Sequence, residues 1–191
     1  TSRLELPMPA LHRQAQLDNA STTLAALEAL QARLPVSRTA IDTGLRTVTL
    51  PGRFQVIECG VQWVLDVAHN PDAAATLAKN LSASSKRGPT IAVCGVLGDK
   101  DLPAIVAPLA ESFDGWVAVE LQGPRARAID LFAAELGKLG MNVLASSPNV
   151  AAACERALDL AGKQGRIVVF GSFLTVGPAL EWLGSRCVTS A

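Results

Sequence analysis

The 191-residue sequence contains no tyrosine, few other aromatic residues, and no excess charge of either sign. It has three tryptophans and five phenylalanines, and 17 basic residues balance 17 acidic ones. Proteins that bind nucleic acid carry a basic face, and those that bind single strands add aromatic rings on which bases stack. The composition therefore argues against nucleic acid, and equally against an anionic membrane surface, as a partner.

Segments for membrane insertion or export are also missing. The longest apolar stretch, residues 167–183, is interrupted by Gly171, Gly177, Pro178 and Glu181, which argues against a membrane span. No basic segment followed by an apolar one opens the chain, as a signal peptide would. The first residue is not methionine, which suggests a piece of a longer protein. The hydrophobic share of 49% is typical of a soluble globular protein.

The cysteines are few and widely spaced, without a Cys-x-x-Cys pair. We expect all of them to be reduced and structural, which suits a cytoplasmic protein. Since the sequence has only two histidines and no paired cysteines, these residues do not predict a metal site. The four cysteines are Cys59, Cys94, Cys154 and Cys187.

Several catalytic and nucleotide-binding motifs are absent. There is no Gly-x-x-x-x-Gly-Lys-Ser/Thr, so the chain has no Walker-type phosphate loop of its own. No Gly-x-Gly-x-x-Gly follows a strand, which argues against an ordinary dinucleotide site. No Gly-x-Ser-x-Gly elbow is present to hold a hydrolase nucleophile.

The most distinctive stretch of the sequence runs from Trp63 to Pro71. Its apolar part predicts a buried strand that ends at Asp66. Asn70 suits the N-cap of a following helix, and Pro71 fits the first helical position, where an N–H would have no partner. In open parallel α/β sheets, ligands bind just beyond the carboxyl ends of the strands. Asp66, His69 and Asn70 are therefore placed where binding or chemistry is expected.

Two short helices are predicted before this strand. Residues 1–16 are expected to be extended, because prolines disfavour helix in the residues before them. Apolar spacing predicts an amphipathic helix over about 18–33 and a second over about 37–46, capped by Ser37. Two helices without an intervening strand do not form a βα unit. They resemble the tail of a preceding helical or mixed domain.

A Pro-Gly turn at 51–52 marks the expected boundary, after which strands alternate with helices. The first two strands are predicted to form a hairpin about Gly60, supplying one antiparallel edge. Repeated βα alternation predicts an α/β fold, with a mostly parallel sheet and helices on both faces. The predicted strands are 54–59, 63–67, 90–95, 116–120, 141–145 and 167–171, and the predicted helices are 71–83, 102–112, 126–138, 149–162 and 175–186.

Polar residues cluster where the predicted strands end. If the sheet is parallel, these loops lie along one edge and converge on a single ligand. Glycines at 95, 98, 123 and 171 would let the backbone approach it closely. The loops are Asp66–Pro71, Gly95–Asp101, Leu121–Arg125 and Gly171–Phe173.

Each of these residues also has a purely structural interpretation. Asp66 and Ser172 are possible helix caps, although the neighbouring Asn70 already serves the first helix. The alternative for His69 is an ordinary loop residue. Asp101 is a good N-cap, which leaves Asp99 and its neighbour Lys100 as the better candidates for function. Arg53 follows the Pro-Gly turn, where it either faces solvent or binds phosphate.

Taken in order, these segments resemble the folylpolyglutamate synthase/dihydrofolate synthase family, within the Mur ligase superfamily. The resemblance covers nearly the whole chain. Asp-x-x-His-Asn-Pro alone is shared with the peptidoglycan ligases, but the ordered set is specific. The segments are Gln16–Ala20, Leu50–Gln55, Leu65–Pro71, Asp99–Asp101, Gly123–Arg125 and Gly171–Phe173.

The resemblance implies an ATP-dependent amide ligase that couples L-glutamate to dihydropteroate or to a reduced folate. The family forms an acyl phosphate on the acceptor carboxylate, which the glutamate amine then attacks. The phosphate loop and the Mg²⁺ ligands belong to the amino-terminal and central ATPase domain, so no metal ligand is expected in this chain. Residues 1–48 then correspond to the helical tail of that domain, and 49–191 to the Rossmann-like glutamate ligase domain. Alone, the chain is expected to be folded but inactive.

Site residues follow from the resemblance one at a time. Asn19 matches an amide on the adenine side, and Arg53 and Asp66 match ATP-contacting residues. His69 and Ser172 match positions associated with the incoming glutamate, whose carboxylate an imidazole and a hydroxyl can bind. Supporting candidates on the neighbouring loops are Asn70, Asp99, Lys100 and Arg125.

Two alternatives remain open from the sequence. One is a non-catalytic small-ligand or interaction module that uses the same edge of the sheet. The other is the equivalent domain of a peptidoglycan-precursor ligase, against which the Pro-Gly-Arg-Phe-Gln and Gly-Pro-Arg elements argue.

Overall fold

The structure is a computed structural model that describes residues 5–11, 14–86 and 88–187. Two compact units divide between Leu50 and Pro51. The identity of the first unit as the tail of another domain stays a prediction. Among the described residues, no helix is both long enough and apolar enough to cross a membrane.

The first unit contains two helices, as predicted, but the first begins at Gln14, inside the segment expected to be extended, and ends three residues before the predicted end at 33. Helix α1 spans Gln14–Leu30 and α2 spans Arg38–Thr47. Ser37 caps α2 by accepting a hydrogen bond from the Ala40 N–H at 3.2 Å. Neither helix contains a fully buried residue. The two helices and the segment around Pro9 and Leu11 line an apolar groove of about 530 Å³.

The second unit is a six-stranded sheet with helices on both faces. The strand order is β1-β2-β6-β3-β4-β5, and every neighbouring pair is parallel except β1 with β2. The predicted hairpin about Gly60 and its antiparallel edge are thus confirmed. The strands are β1 (Gln55–Cys59), β2 (Val61–Asp66), β3 (Thr90–Cys94), β4 (Gly115–Val119), β5 (Val143–Ser147) and β6 (Arg166–Phe170); the helices are α3 (Pro71–Ser82), α4 (Leu102–Val106), α5 (Ile129–Lys138), α6 (Val150–Ala161) and α7 (Phe173–Cys187).

The core consists of two apolar layers, one on each face of the sheet. Helices α6 and α7 cover one face, where Trp63, Leu65 and Val169 point. Helices α3, α4 and α5 cover the other, around Trp116 and Phe170. Strands β3, β4 and β6 are buried along their whole length. Continuous apolar strands such as these are typical of parallel sheets covered on both sides.

Several predicted boundaries are wrong. The helix predicted over 102–112 is α4 followed by a 3₁₀ helix at Ala107–Ser112, because Pro108 has no N–H to continue the α-helical pattern. The helix predicted from 126 begins at Ile129, since residues 123–126 form a turn. The fifth strand lies two residues later than predicted, after the turn at Gly140.

The prediction that all four cysteines are reduced is also wrong. Cys59 at the end of β1 and Cys187 at the end of α7 form a disulfide, with their Cα atoms 5.8 Å apart. Cys94 and Cys154 are free and buried, as expected for small apolar side chains. Burial raises the pKa of both free thiols, that of Cys154 to about 12. Both thiols are therefore protonated at neutral pH and unreactive.

Candidate functional site

The parallel strands end level with one another along one edge of the sheet. The Cα partners across the sheet are Asp66 with Phe170, Phe170 with Cys94, and Cys94 with Ala118. Adjacent strands are about 4.8 Å apart, so the loops that follow these residues lie side by side. We call this edge the carboxyl rim; it comprises residues 52–54, 66–70, 95–101, 120–128 and 171–174.

Asp66 organises the end of the rim nearest β1. Its Oδ2 accepts a hydrogen bond from the Phe54 N–H at 2.9 Å, and its Oδ1 accepts one from the Ala68 N–H at 2.8 Å. The carboxylate thus ties the turn before β1 to the loop after β2. It does not cap α3, because Asn70 accepts from the Ala73 N–H at 2.9 Å and fills that role.

Burial raises the pKa of Asp66 above its ordinary value of 3.8, and the two backbone N–H groups and the charge of Arg53 partly offset the rise. Each carboxylate oxygen has a second lone pair. A hydroxyl group of a ligand is therefore a suitable additional donor.

His69 lies beside Asp66 on the same loop, half-buried, with its Nδ1 2.8 Å from the Val67 carbonyl oxygen. A carbonyl can only accept, so this contact requires the proton on Nδ1. Nε2 is then the nitrogen left for a ligand. As a neutral ring it accepts from an ammonium group; when protonated, it donates to a carboxylate.

Ser172 follows the adjacent strand β6 and is buried. Its Oγ accepts a hydrogen bond from the Leu174 N–H at 3.1 Å, at the start of α7. The hydroxyl proton remains able to donate to a ligand. The cap interpretation and the ligand interpretation of Ser172 are thus compatible.

The loops after β3 and β6 are packed directly against each other. Gly171 has φ +109°, and a Cβ there would lie 2.6 Å from the Gly95 carbonyl oxygen. Thr175 is fully buried and donates to that same oxygen at 2.9 Å. The sequence reasoning missed Thr175, because no local pattern distinguishes it from an ordinary helix residue. These contacts hold the start of α7, and so Ser172, against the end of β3.

Charged residues gather further along the rim. Arg125 Nη1 and Asp99 Oδ2 form an exposed ion pair at 3.3 Å. Asp101 caps α4 by accepting from the Ala104 N–H at 3.1 Å, as predicted. Arg127, which the sequence reasoning also missed, donates to the carbonyls of Gly98 and Lys100 at 3.4 Å and pairs with Glu135. Arg127 therefore orders the loop that carries Asp99 and Lys100.

Arg53 lies at the rim because β1 runs antiparallel to β2 and begins beside its end. It is exposed, between Gly52 (φ +70°) and Phe54 (φ +47°), both in the left-handed region. The Val67 N–H donates to the Gly52 carbonyl at 2.8 Å, which fixes this turn beside Asp66.

Asn19 belongs to the first unit. It is exposed on α1, donates through Nδ2 to Gln16 Oε1 at 3.3 Å, and contributes to the apolar groove. Its proposed role on the adenine side stays a prediction.

A cavity of about 450 Å³ opens at the far end of the rim, where β4 and β5 meet α6 and α7. Its lining is mostly apolar and includes Leu121, Pro148 and Leu174. Phe173 and Leu174 are 60% and 48% exposed, so apolar surface adjoins the polar groups of Ser172.

The family of the second unit follows from its sequence. Residues 52–173 match the model of the Mur ligase, glutamate ligase domain. The chain belongs to this family. The matched segment contains the whole carboxyl rim apart from Leu174.

Relatives of this Mur ligase chain match almost all of it, including the first unit. It is 37% identical to the dihydrofolate synthase/folylpolyglutamate synthase of Escherichia coli (strain K12) over 95% of this chain and 40% of the relative. It is 31% identical to that of Mycobacterium tuberculosis (strain H37Rv), over 91% of this chain and 39% of the relative. The chain thus spans about two fifths of the length of these relatives.

Solved structures show the same fold. E. coli FolC in complex with ADP superposes with a TM-score of 0.78 at 38% identity, over 95% of this chain and 41% of that one. The M. tuberculosis folylpolyglutamate synthase complexed with ADP also gives 0.78, at 30% identity, over 94% of this chain and 41% of that one. A bifunctional folylpolyglutamate synthase/dihydrofolate synthase with Mn, AMPPNP and L-glutamate bound gives 0.77 at 37% identity, over 94% and 41%.

Proposed function

We propose that this chain is the carboxy-terminal part of an ATP-dependent ligase that adds L-glutamate to dihydropteroate or to reduced folates. The observation that carries the proposal is the match of both units, over 95% of the chain, to a relative named for these activities. The residues that the resemblance identified in the second unit lie on one rim, which is what a shared ligand site requires.

The chemistry proceeds through an acyl phosphate. ATP transfers its γ-phosphoryl group to the acceptor carboxylate and leaves as ADP; the glutamate amine then attacks the carbonyl, the C–N bond forms and phosphate departs. A carboxylate is a poor electrophile, and phosphorylation supplies the leaving group. The acyl phosphate must be shielded from water until the amine arrives.

The rim supplies the glutamate side of this reaction. His69 and Ser172 offer an Nε2 and a hydroxyl at neighbouring strand ends, suited to the carboxylates and ammonium group of glutamate. Asp66, held by two backbone N–H groups, offers acceptor lone pairs for a ribose hydroxyl, and Arg53 places positive charge near phosphate. Asn70, Asp99, Lys100 and Arg125 support these loops.

ATP and a divalent metal are the cofactors we propose, with Mg²⁺ as the metal. Relatives have been solved with ADP, and with Mn and AMPPNP. Among the described residues, no group of three or more His, Cys, Asp or Glu side chains is arranged to hold a metal ion. The metal ligands are therefore proposed to lie in the amino-terminal part that the relatives contain beyond the matched segment.

We also propose a cytoplasmic location, where ATP is available to the reaction. Thiol reductants keep most cysteines reduced in that compartment. The Cys59–Cys187 disulfide of the structure is an exception to that pattern.

The test is a ligase assay on the chain alone and on the longer gene product that contains it, with ATP, a divalent metal, dihydropteroate and L-glutamate. We expect ADP, phosphate and dihydrofolate from the longer protein, and no turnover from the chain alone. A peptidoglycan-precursor substrate serves as the competing acceptor. If the longer protein uses only the peptidoglycan precursor, the proposal is overturned in favour of another ligase. If it uses neither acceptor, the proposal is overturned in favour of a binding module.

A further inference from the structure

A polar cavity lies at the opposite edge of the sheet from the carboxyl rim, beside the amino ends of β2 and β6. We call it the amino-end cavity. Its volume is about 470 Å³. It is lined by Glu58, Gly60, Val61, Gln62, Ser85, Lys163, Gln164, Gly165 and Arg166.

Arg166 is the unusual member of this lining. It is the first residue of β6 and only 5% exposed. Its Nε and Nη1 atoms are sealed from solvent, and no hydrogen-bond acceptor reaches either of them. A buried guanidinium normally has its donors paired, since leaving a charged donor unpaired is costly. Burial lowers the pKa of Arg166, partly offset by the charge of Asp114.

The nearby acids are committed to other partners. Glu58 Oε1 accepts from Gln62 Nε2 at 2.9 Å. Asp114 accepts from the Thr90 N–H at 2.7 Å and pairs with Lys86 at 2.8 Å. In the ion pairs found among residues 5–11, 14–86 and 88–187, Arg166 does not take part. The positive charge of Arg166 is therefore not matched by a contacting carboxylate.

Close backbone packing holds the part of the lining that contains Lys163 and Arg166. A Cβ at Gly165 would lie 2.3 Å from the Ala161 carbonyl oxygen, and one at Gly88 would lie 2.6 Å from that of Gln164. The Arg166 N–H donates to the Pro89 carbonyl at 2.9 Å. This packing fixes the backbone around Lys163, so little ordering is needed for a ligand to bind.

We propose that the amino-end cavity binds a small oxyanion, the carboxylate or phosphate group of a metabolite, with Arg166 as its buried counter-charge and Lys163 at its mouth. The guanidinium attracts either group by its charge, and a small turn of the Arg166 side chain toward the cavity would bring its sealed Nε–H and Nη1–H donors into charge-assisted hydrogen bonds with the anion. Ser85 and Gln164 line the same space, and both residue types carry neutral side-chain donors. The carboxylate of Glu58 in the same lining disfavours a ligand with a second, separate anionic group. This site does not depend on the ligase activity proposed for the rim.

The test is thermal unfolding of this chain with increasing inorganic phosphate, and separately with acetate, against sodium chloride at matched ionic strength. A ligand that binds only the folded state stabilises it by RT ln(1 + [L]/Kd), so the melting temperature rises with the logarithm of ligand concentration above Kd. We expect at least one oxyanion to give a rise that fits this dependence with a dissociation constant of about 1 mM or tighter, which chloride does not reproduce. The two arms distinguish a phosphate site from a carboxylate site.

Two variants and a matched control assign the effect to the cavity. Arg166→Met and Lys163→Met are expected to weaken binding by about tenfold and about threefold respectively. Lys138→Met changes another exposed lysine, on α5 and outside the lining, and is expected to bind as the unchanged protein does. If Arg166→Met fails to fold, Lys163→Met together with the shift of the Arg166 Nε–H resonance in ¹⁵N spectra decides the matter.

The proposal is overturned if neither oxyanion exceeds chloride, or if Lys163→Met binds as tightly as Lys138→Met while the Arg166 resonance does not move. The first result means that the buried guanidinium is only structural. The second means that the anion binds elsewhere on the surface.

Discussion

Asp66 combines two properties at the residue scale: it joins two segments of the rim, and it does so as a buried carboxylate. The backbone N–H groups of Phe54 and Ala68 stabilise its ionised form, yet burial outweighs them and raises its pKa. A carboxyl group whose folded-state pKa is raised binds its proton more tightly when folded. The stability of the protein therefore falls as pH rises from the unfolded-state value through the folded-state value.

We predict that this pH dependence disappears in Asp66→Asn. The free energy of unfolding of the unchanged protein, relative to that of the variant, should be highest below pH 3.8 and decrease above it until Asp66 is fully ionised. Chemical denaturation at a series of pH values measures this difference. Asp72→Asn, an exposed change in the first turn of α3, is the control. A difference that grows with pH would mean that Asp66 is stabilised as the anion.

A second residue-scale prediction concerns two asparagine caps of the same geometry. Asn70 and Asn149 each accept from a backbone N–H at 2.9 Å, from Ala73 and Ala152 respectively. Replacing either with alanine should cost about 1 kcal/mol of unfolding free energy. If Asn70 also contacts the ligand, Asn70→Ala should weaken L-glutamate binding, whereas Asn149→Ala should leave it unchanged. Equal glutamate affinity in the two variants would reduce Asn70 to a cap.

At the scale of elements, the junction between the β3 and β6 loops depends on a glycine. Gly171 and Gly123 have nearly the same φ, +109° and +111°, but a Cβ at Gly171 meets the Gly95 carbonyl, whereas one at Gly123 meets nothing within 4 Å. Gly123→Ala should cost about 1–3 kcal/mol through backbone strain alone. Gly171→Ala adds the clash and should cost more, as chemical denaturation would show. Equal losses of unfolding free energy in the two variants would mean that the loop moves to relieve the clash at Gly171.

The elements that the sequence predicted well are those governed by local signals. Asn70, Asp101 and Ser37 cap their helices as expected, because N-cap chemistry needs only residues three positions apart. The buried strands and the antiparallel edge follow from the alternation of apolar runs and turns. Boundaries set by tertiary contacts, such as the late start of α5 after the loop that Arg127 orders, were not predictable.

The candidate site was predictable only as far as strand ends could be identified. The parallel order brings Asp66, His69 and Ser172 to one rim, but the roles assigned to them rest on resemblance. Thr175 was missed because its partner, the Gly95 carbonyl, is 80 positions away in the sequence. Arg166 was missed because a lone arginine at the start of a strand gives no sign of burial.

At the scale of the whole molecule, the Cys59–Cys187 disulfide joins residues separated by 128 positions. Closing a loop of that length lowers the conformational entropy of the unfolded chain. On the chain-entropy model, this raises the free energy of unfolding by up to about 5 kcal/mol. Cys187→Ser is therefore predicted to lower the free energy of unfolding by about 2–4 kcal/mol. Denaturation of the oxidised protein, the reduced protein and the variant measures this, and the reduced protein should match the variant.

Thiol counting gives an independent check at the same scale. In the folded oxidised protein, the described cysteines should react with no thiol reagent, because Cys94 and Cys154 are buried and protonated. Denaturation should expose two thiols, and denaturation with reduction should expose four. Four thiols without reduction would show that the pair is open.

Isothermal titration of this chain with L-glutamate tests whether the carboxyl rim receives glutamate. The unchanged protein and Ser185→Ala, an exposed change near the far end of α7, should bind with equal affinity. His69→Ala and Ser172→Ala should each weaken binding by about tenfold or more. Equal affinity in all four proteins, or no binding to the unchanged one, would mean that the rim is not the glutamate site.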